Sequence, residues 1–262
     1  MRKIISKTFG LRDGEIHISF LMQLYIFIVI TVLLIVKPTV NALFVSKLGA
    51  DNLPVGYLLV AVTAVVSSFF YSRAIRKFSL VKVAVISLIT FSVTFIALGI
   101  LLQFSSLNNY LLYFYYVFVS LFAVVATSQF WIFANMVFNV REAKRIFGFI
   151  GAGAIAGGIF GGYLTSLIAS RFGNEFTIFL AGILILGCIP ILQKVYKLKI
   201  RHLNTFRRKQ VIAKQDSLEN SSVRLILGSK HLTYIALITG IGVIVAKLVD
   251  FQFSDFAHEA IP

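Results

Sequence analysis

Seven stretches of this chain are long and apolar enough to cross a bilayer, and no other feature restricts the fold as much. They run roughly over 20–45, 54–71, 81–103, 110–137, 146–169, 176–192 and 232–249. A spanning helix needs about 20 consecutive apolar residues. The runs do not alternate apolar with polar residues, so transmembrane strands are not expected. The first run is too long for a signal-peptide core and lacks a small-x-small cleavage site. The expected class is an all-α polytopic membrane protein.

Composition enters at the question of charge. The chain is 58% hydrophobic with 26 Phe, yet carries a net charge of +15. Excess basicity is a common footprint of nucleic-acid binding, but here its distribution follows the spans. With the N-terminus inside, Arg2, Lys3, Lys7 and Arg12, then Arg73, Arg76, Lys77 and Lys82, then Arg141, Lys144 and Arg145 all fall on one side. The basic residues between Lys194 and Lys230 join them. Only Lys47 and Arg171 lie opposite, and Lys37 and Lys247 sit within spans. That asymmetry is the positive-inside pattern. It gives a multi-pass protein with a cytoplasmic N-terminus, partnered by the lipid bilayer and not by nucleic acid.

The expected organisation is a six-helix bundle over 1–193, a basic cytoplasmic connector over 194–231, and a seventh helix with the start of a second half over 232–262. The connector, whose only acids are Asp216 and Glu219, either lies on anionic lipid or binds a partner. TVLLIVKPTVNALF, from Thr31, aligns with IGVIVAKLVDFQF, from Ile241, with Lys37 on Lys247. Transporters are often built from such repeats.

The segment from Phe130 to Gly162, FWIFANMVFNVREAKRIFGFIGAGAIAGGIFGG, holds the strongest local signals. Gly153, Gly157 and Gly161 form one stripe at a spacing of four, and Ala154, Gly158 and Gly162 form another. Residues four apart share a helix face, and small residues let helix backbones approach closely in lipid. A phosphate-cradling loop would need a preceding strand and, for a P-loop, a GKS/T ending; the latter is absent. In the turn before the stripes, Asn139 and Glu142 have the spacing of a variant capping box. Arg141, Lys144 and Arg145 are read there either as membrane-edge anchors or, with Arg76 and Glu142, as a latch between helix bundles.

Ionisable residues within spans face a bundle interior or water. Lys37 either snorkels to the interface or contacts an anionic solute; Asn41 shares its face and Pro38 is expected to kink the helix. Lys247 and Asp250 either pair with each other or join that site. In the fourth span Ser120, Thr127 and Trp131 fall near one line, Ser128 and Asn135 flank it, and Gln129 points away. This arc reads as a cavity lining or as interhelical contacts. Tyr113, Tyr115 and Tyr116 are expected in an interfacial belt. Cys188 is the single cysteine, so no intramolecular disulfide is available. His17, His202, His231 and His258 are scattered. No catalytic constellation, metal site or cofactor is expected, and the chain is not read as an enzyme.

The skeleton FW…AN…EAKR…G…GG resembles the matching segment of the ATP/ADP (nucleotide) exchange transporters of plastids and intracellular bacteria, relatives of the major facilitator superfamily. SRAIRKF, from Ser72, occupies the place of the superfamily's basic loop, and KLVDFQF, from Lys247, looks like the start of the family's second half. The resemblance implies twelve helices in two six-helix halves, alternating access and no covalent chemistry. On that basis the chain is expected to be one half plus the seventh helix, completed by the rest of a transporter or by a second copy. The family's nucleotide exchangers carry charged residues in the first helix, a role Lys37 fills, and an acidic residue midway in the fourth, where Val119 and Ser120 stand here. The function expected is facilitator-type movement of an anionic solute, with nucleotide exchange leading, in a bacterial cytoplasmic membrane. Lys37, Asn41, Ser120, Thr127, Lys247 and Asp250 are the solute-binding candidates. The alternative is a non-transporting membrane scaffold that keeps the fold.

Overall fold

The computed structural model describes residues 15–104, 109–200 and 228–260. The basic tail with Arg2, Lys3, Lys7 and Arg12, and the connector over 201–227, lie outside the described residues. The helices are α1 (Ile16–Leu48), α2 (Leu53–Lys77), α3 (Leu80–Phe104), α4 (Asn109–Val137), α5 (Val140–Leu186), α6 (Cys188–Val195) and α7 (Lys230–Ala260), with a 3-10 turn at Ala50–Asn52. Gly173, at φ 85° and ψ 172°, breaks α5 into two limbs. A positive φ of this kind favours glycine, which has no Cβ to clash. The second limb runs on through α6, and together the helices supply seven spans of membrane length.

Among the described residues the contact between α1 and α5 is the most extensive. A Cβ built on Gly153, Gly157 or Gly161 would lie 2.8, 2.5 or 2.7 Å from the backbone oxygens of Gln23, Phe27 and Thr31. The two helices therefore run parallel, backbone against backbone. Side-chain hydrogen bonds stitch the same seam. Gln23 Nε2 donates to the Phe149 carbonyl at 3.1 Å and Thr31 Oγ1 to the Gly157 carbonyl at 3.1 Å. Pro38 has no N–H, so it leaves the Leu34 carbonyl without its usual helical donor; the Thr165 hydroxyl is shared between that carbonyl, at 3.2 Å, and the Gly161 carbonyl of its own helix, at 2.7 Å. α1 remains one helix through Pro38.

Of the two expected small-residue stripes, one packs. Gly162 has nothing within 4 Å of a built Cβ, and Gly158 meets only Ile30 at 3.9 Å. The stripes lie about 100° apart on the helix, and α1 covers one face. A second close seam, with no stripe in the sequence to mark it, joins α3 to the far limb of α5. A Cβ on Gly182 would lie 3.0 Å from the Ser92 carbonyl, and one on Gly99 3.0 Å from Phe179 N. Ser92 Oγ donates to the Gly182 carbonyl at 2.7 Å.

Between α3 and α4, Phe91 and Phe95 meet Phe118 and Phe122 with ring centroids 5.2–5.6 Å apart. Gln129 turns to this side, buried, and its Nε2 lies 2.7 Å from Ser87 Oγ. A buried amide that loses its partner costs about 1–3 kcal/mol. Ser87→Ala is therefore expected to lower the stability of the detergent-solubilised protein by that amount, with Gln129→Leu in the same background restoring most of it. Thermal melts of the two variants check this.

The tyrosine belt is corrected. Tyr115 and Tyr116 are 1% and 3% exposed, in the core, and Tyr113 is half-buried with its hydroxyl 3.3 Å from Asn52 Oδ1. Consecutive helical residues point about 100° apart, so a run of tyrosines cannot all face the interface, and the apolar core takes the rings that point inward.

Candidate functional site

α1 is 33 residues long, about 50 Å at the rise of an α-helix, against a hydrocarbon core of about 30 Å. Lys37 lies five residues beyond its midpoint, about 8 Å, and so at membrane depth. It is exposed, Asn41 beside it is half-buried, and among the described residues no carboxylate or hydrogen-bond partner meets the ammonium. The α1–α4 contact is antiparallel, with Tyr25 against Phe130 and Phe44 against Tyr113 and Tyr116. That register places Lys37 level with Ser120 and roughly two turns from Thr127. Ser120 and Thr127 are half-buried, whereas Ser128, Trp131 and Asn135 are exposed. The polar arc of α4 is thus an open face beside α1, while Gln129 is the member committed to helix packing. Trp131 is held by Phe130 and by Phe147 of α5, at 5.3 and 5.4 Å.

The arc leads toward the end of the molecule where Arg73, Arg76 and Lys77 close α2 and Arg141, Lys144 and Arg145 open α5. An open pocket of about 560 Å³ lies there, lined by Asn135, Asn139, Arg141 and Arg145 with Glu15 and Glu142. Both acids are engaged. Glu142 Oε2 accepts from the Asn139 backbone N–H at 2.9 Å, completing the capping box expected from the sequence. Glu15, at the start of α1, pairs with Arg145 at 3.3 Å. Arg145 thus ties α1 to α5 within the bundle. Arg141 and Lys144 are exposed at the same edge, and Arg76 is exposed in the last turn of α2.

At the opposite end, Lys247 Nζ lies 3.0 Å from Asp250 Oδ2 and 4.7 Å from the centroid of the Tyr57 ring. The pairing anticipated for these two residues is present, and it leaves Lys37 as the unmatched intramembrane cation among the described residues. Tyr57, in α2, meets Tyr116 at 6.4 Å, and Tyr116 meets Phe44 at 4.8 Å. Tyr57, Glu15, Gln23 and Thr165 were not singled out by sequence reasoning. Tyr57 and Thr165 look like ordinary apolar-span residues, and only the partners brought by other helices distinguish them. Among the described residues no three His, Cys, Asp or Glu side chains come together as metal ligands.

Compared with known proteins, residues 18–255 match the family model described as Major Facilitator Superfamily. No curated protein and no solved structure matches the chain.

Proposed function

This chain belongs to the Major Facilitator Superfamily, and from that premise we propose that it moves an anionic solute across the bilayer by alternating access, with a nucleotide as the first candidate. It is a multi-pass membrane protein of the facilitator type. The observation that carries the choice of solute is Lys37, a cation at membrane depth with no counter-charge among the described residues, open to the face it shares with Asn41 and level with Ser120. An unpaired charge in a span is expensive; an anion that visits the site supplies the missing partner. Asn41, Ser120 and Thr127 add hydrogen-bonding groups around it. Lys247 and Asp250, matched to each other, stand at the edge of this site. The basic end is the cytoplasmic one in this reading, by the positive-inside rule, and the pocket beside Arg141 is its mouth.

Reconstitution of the purified full-length protein tests the proposal. Saturable uptake of labelled ATP, ADP or inorganic phosphate into proteoliposomes is expected, and stimulation by the same solute inside the vesicle would mark exchange. Uptake no higher than in protein-free vesicles for all three probes sinks the anion reading and favours a scaffold.

A further inference from the structure

We propose that Tyr57, Lys247 and Asp250 lock the far ends of α2 and α7 together, and that this lock decides to which side the cleft between α7 and the bundle opens. The inference rests on alternating access but not on the identity of the solute.

The first observation is where α7 touches the bundle. From 231 to 246 its residues are exposed, Thr233 alone being half-buried; Lys247, Asp250, Phe251, Ser254 and Asp255 are the half-buried positions beyond. The helix therefore leans on the bundle from Lys247 onward and stands off it along most of the part before. Lys230 begins α7 at the basic end, so the space between α7 and the bundle opens to the side where Arg141 and the 560 Å³ pocket lie.

The second observation is the chemistry of the closed end. One contact that crosses from α7 to α2 is the Lys247 ammonium above the Tyr57 ring. Asp250 lies three residues on, within the same helix, and acts as a positioning residue: its carboxylate holds the ammonium above the ring. A cation over an aromatic face is favourable, more so away from water. Behind Tyr57 the rings of Tyr116, Phe44 and Tyr113 follow one another across α4 and α1. Lys37 lies two turns inward of Phe44, on the same face of α1. These rings thus stand between the proposed solute contact and the far side.

The third observation is how different this contact is from the permanent seams. At Gly153, Gly157 and Gly161 α1 and α5 meet backbone against backbone with no room for a methyl group, and packing of that density transmits strain instead of absorbing it. The Lys247–Tyr57 contact has partly exposed side chains, 40% for Lys247 and 32% for Asp250, and can part without opening a void. An element with two arrangements of similar energy is what alternating access requires.

Distances between spin labels on the full chain test this without any solute. In a Cys188→Ala background, Val55→Cys with Phe253→Cys reports the far end, and Ser72→Cys with Ile235→Cys reports the basic end. Lys247→Ala is expected to add a longer far-end population and, in the same molecules, a shorter basic-end one. Tyr57→Leu, which removes the ring from the other helix, should do the same, and Lys247→Arg should keep the original distributions. Far-end widening with an unchanged basic end would mean mere fraying of α7, and unchanged distributions at both ends would mean no lock; either overturns the proposal. Because the labels report distances, failure to take up ATP, ADP or phosphate leaves this result standing, and the reverse also holds.

Discussion

Gly157→Leu is expected to abolish the folded bundle, whereas Gly162→Leu, five residues along the same helix, is expected to be nearly silent. The contrast follows from what each new side chain meets. A Cβ at Gly157 would lie 2.5 Å from the Phe27 carbonyl oxygen and 3.1 Å from Phe27 Cα. Backbone atoms of another helix cannot step aside without α1 and α5 separating. Separation would also break the hydrogen bond from Thr31 Oγ1 to the Gly157 carbonyl. Overpacking in a well-packed core typically costs about 1–3 kcal/mol, and a clash with backbone along the longest seam belongs at or above the top of that range. At Gly162 nothing lies within 4 Å of the built Cβ, and a surface substitution away from special features stays within about 0.5 kcal/mol. Expression, monodispersity in detergent and thermal melting of the two variants read the difference. Equal behaviour would show that α1 and α5 do not meet where they are placed here.

Lys37→Ala is expected to cut the transport efficiency, kcat/KM, for the anionic solute by about 10- to 100-fold. That is the range implied by losing a hydrogen bond to a charged group worth about 1.5–3 kcal/mol. Lys37→Arg keeps the charge and should retain much of the uptake. Stability should change little, because the Lys37 side chain is exposed and has no partner among the described residues. A Lys37→Ala protein that melts like the parent and transports like it would return Lys37 to the role of a lysine snorkelling to the interface.

Several parts of this molecule were legible without coordinates because they depend on local sequence. The turn from Asn139 to Glu142 is one: the capping geometry needs only residues three apart, and it forms as the spacing says. The pairing of Lys247 with Asp250 is another, since residues three apart meet on one helix face. The stripe of Gly153, Gly157 and Gly161 announced a close helix contact. It could not say which helix would arrive, nor that the neighbouring stripe of Ala154, Gly158 and Gly162 would stay largely uncovered. The tyrosines after Asn109 misled for a related reason. Their amphipathic chemistry suits an interface, but the direction of each ring follows from its place on the helix, and the core claimed Tyr115 and Tyr116.

The sequence by itself determined that this chain is helical and repeatedly crosses a bilayer, because in hydrocarbon backbone N–H and C=O groups need protein partners, and long apolar runs that do not alternate find most of them within their own helix. It also marked Lys37 as the charge to be explained. Only the tertiary structure decided that the Thr165 hydroxyl comes within 3.2 Å of the carbonyl freed by Pro38, that Ser87 satisfies Gln129, and that Tyr57 receives Lys247. Each of these joins residues far apart in the chain, and contacts between helices depend on which faces turn toward one another, a choice made jointly by all the spans when they pack.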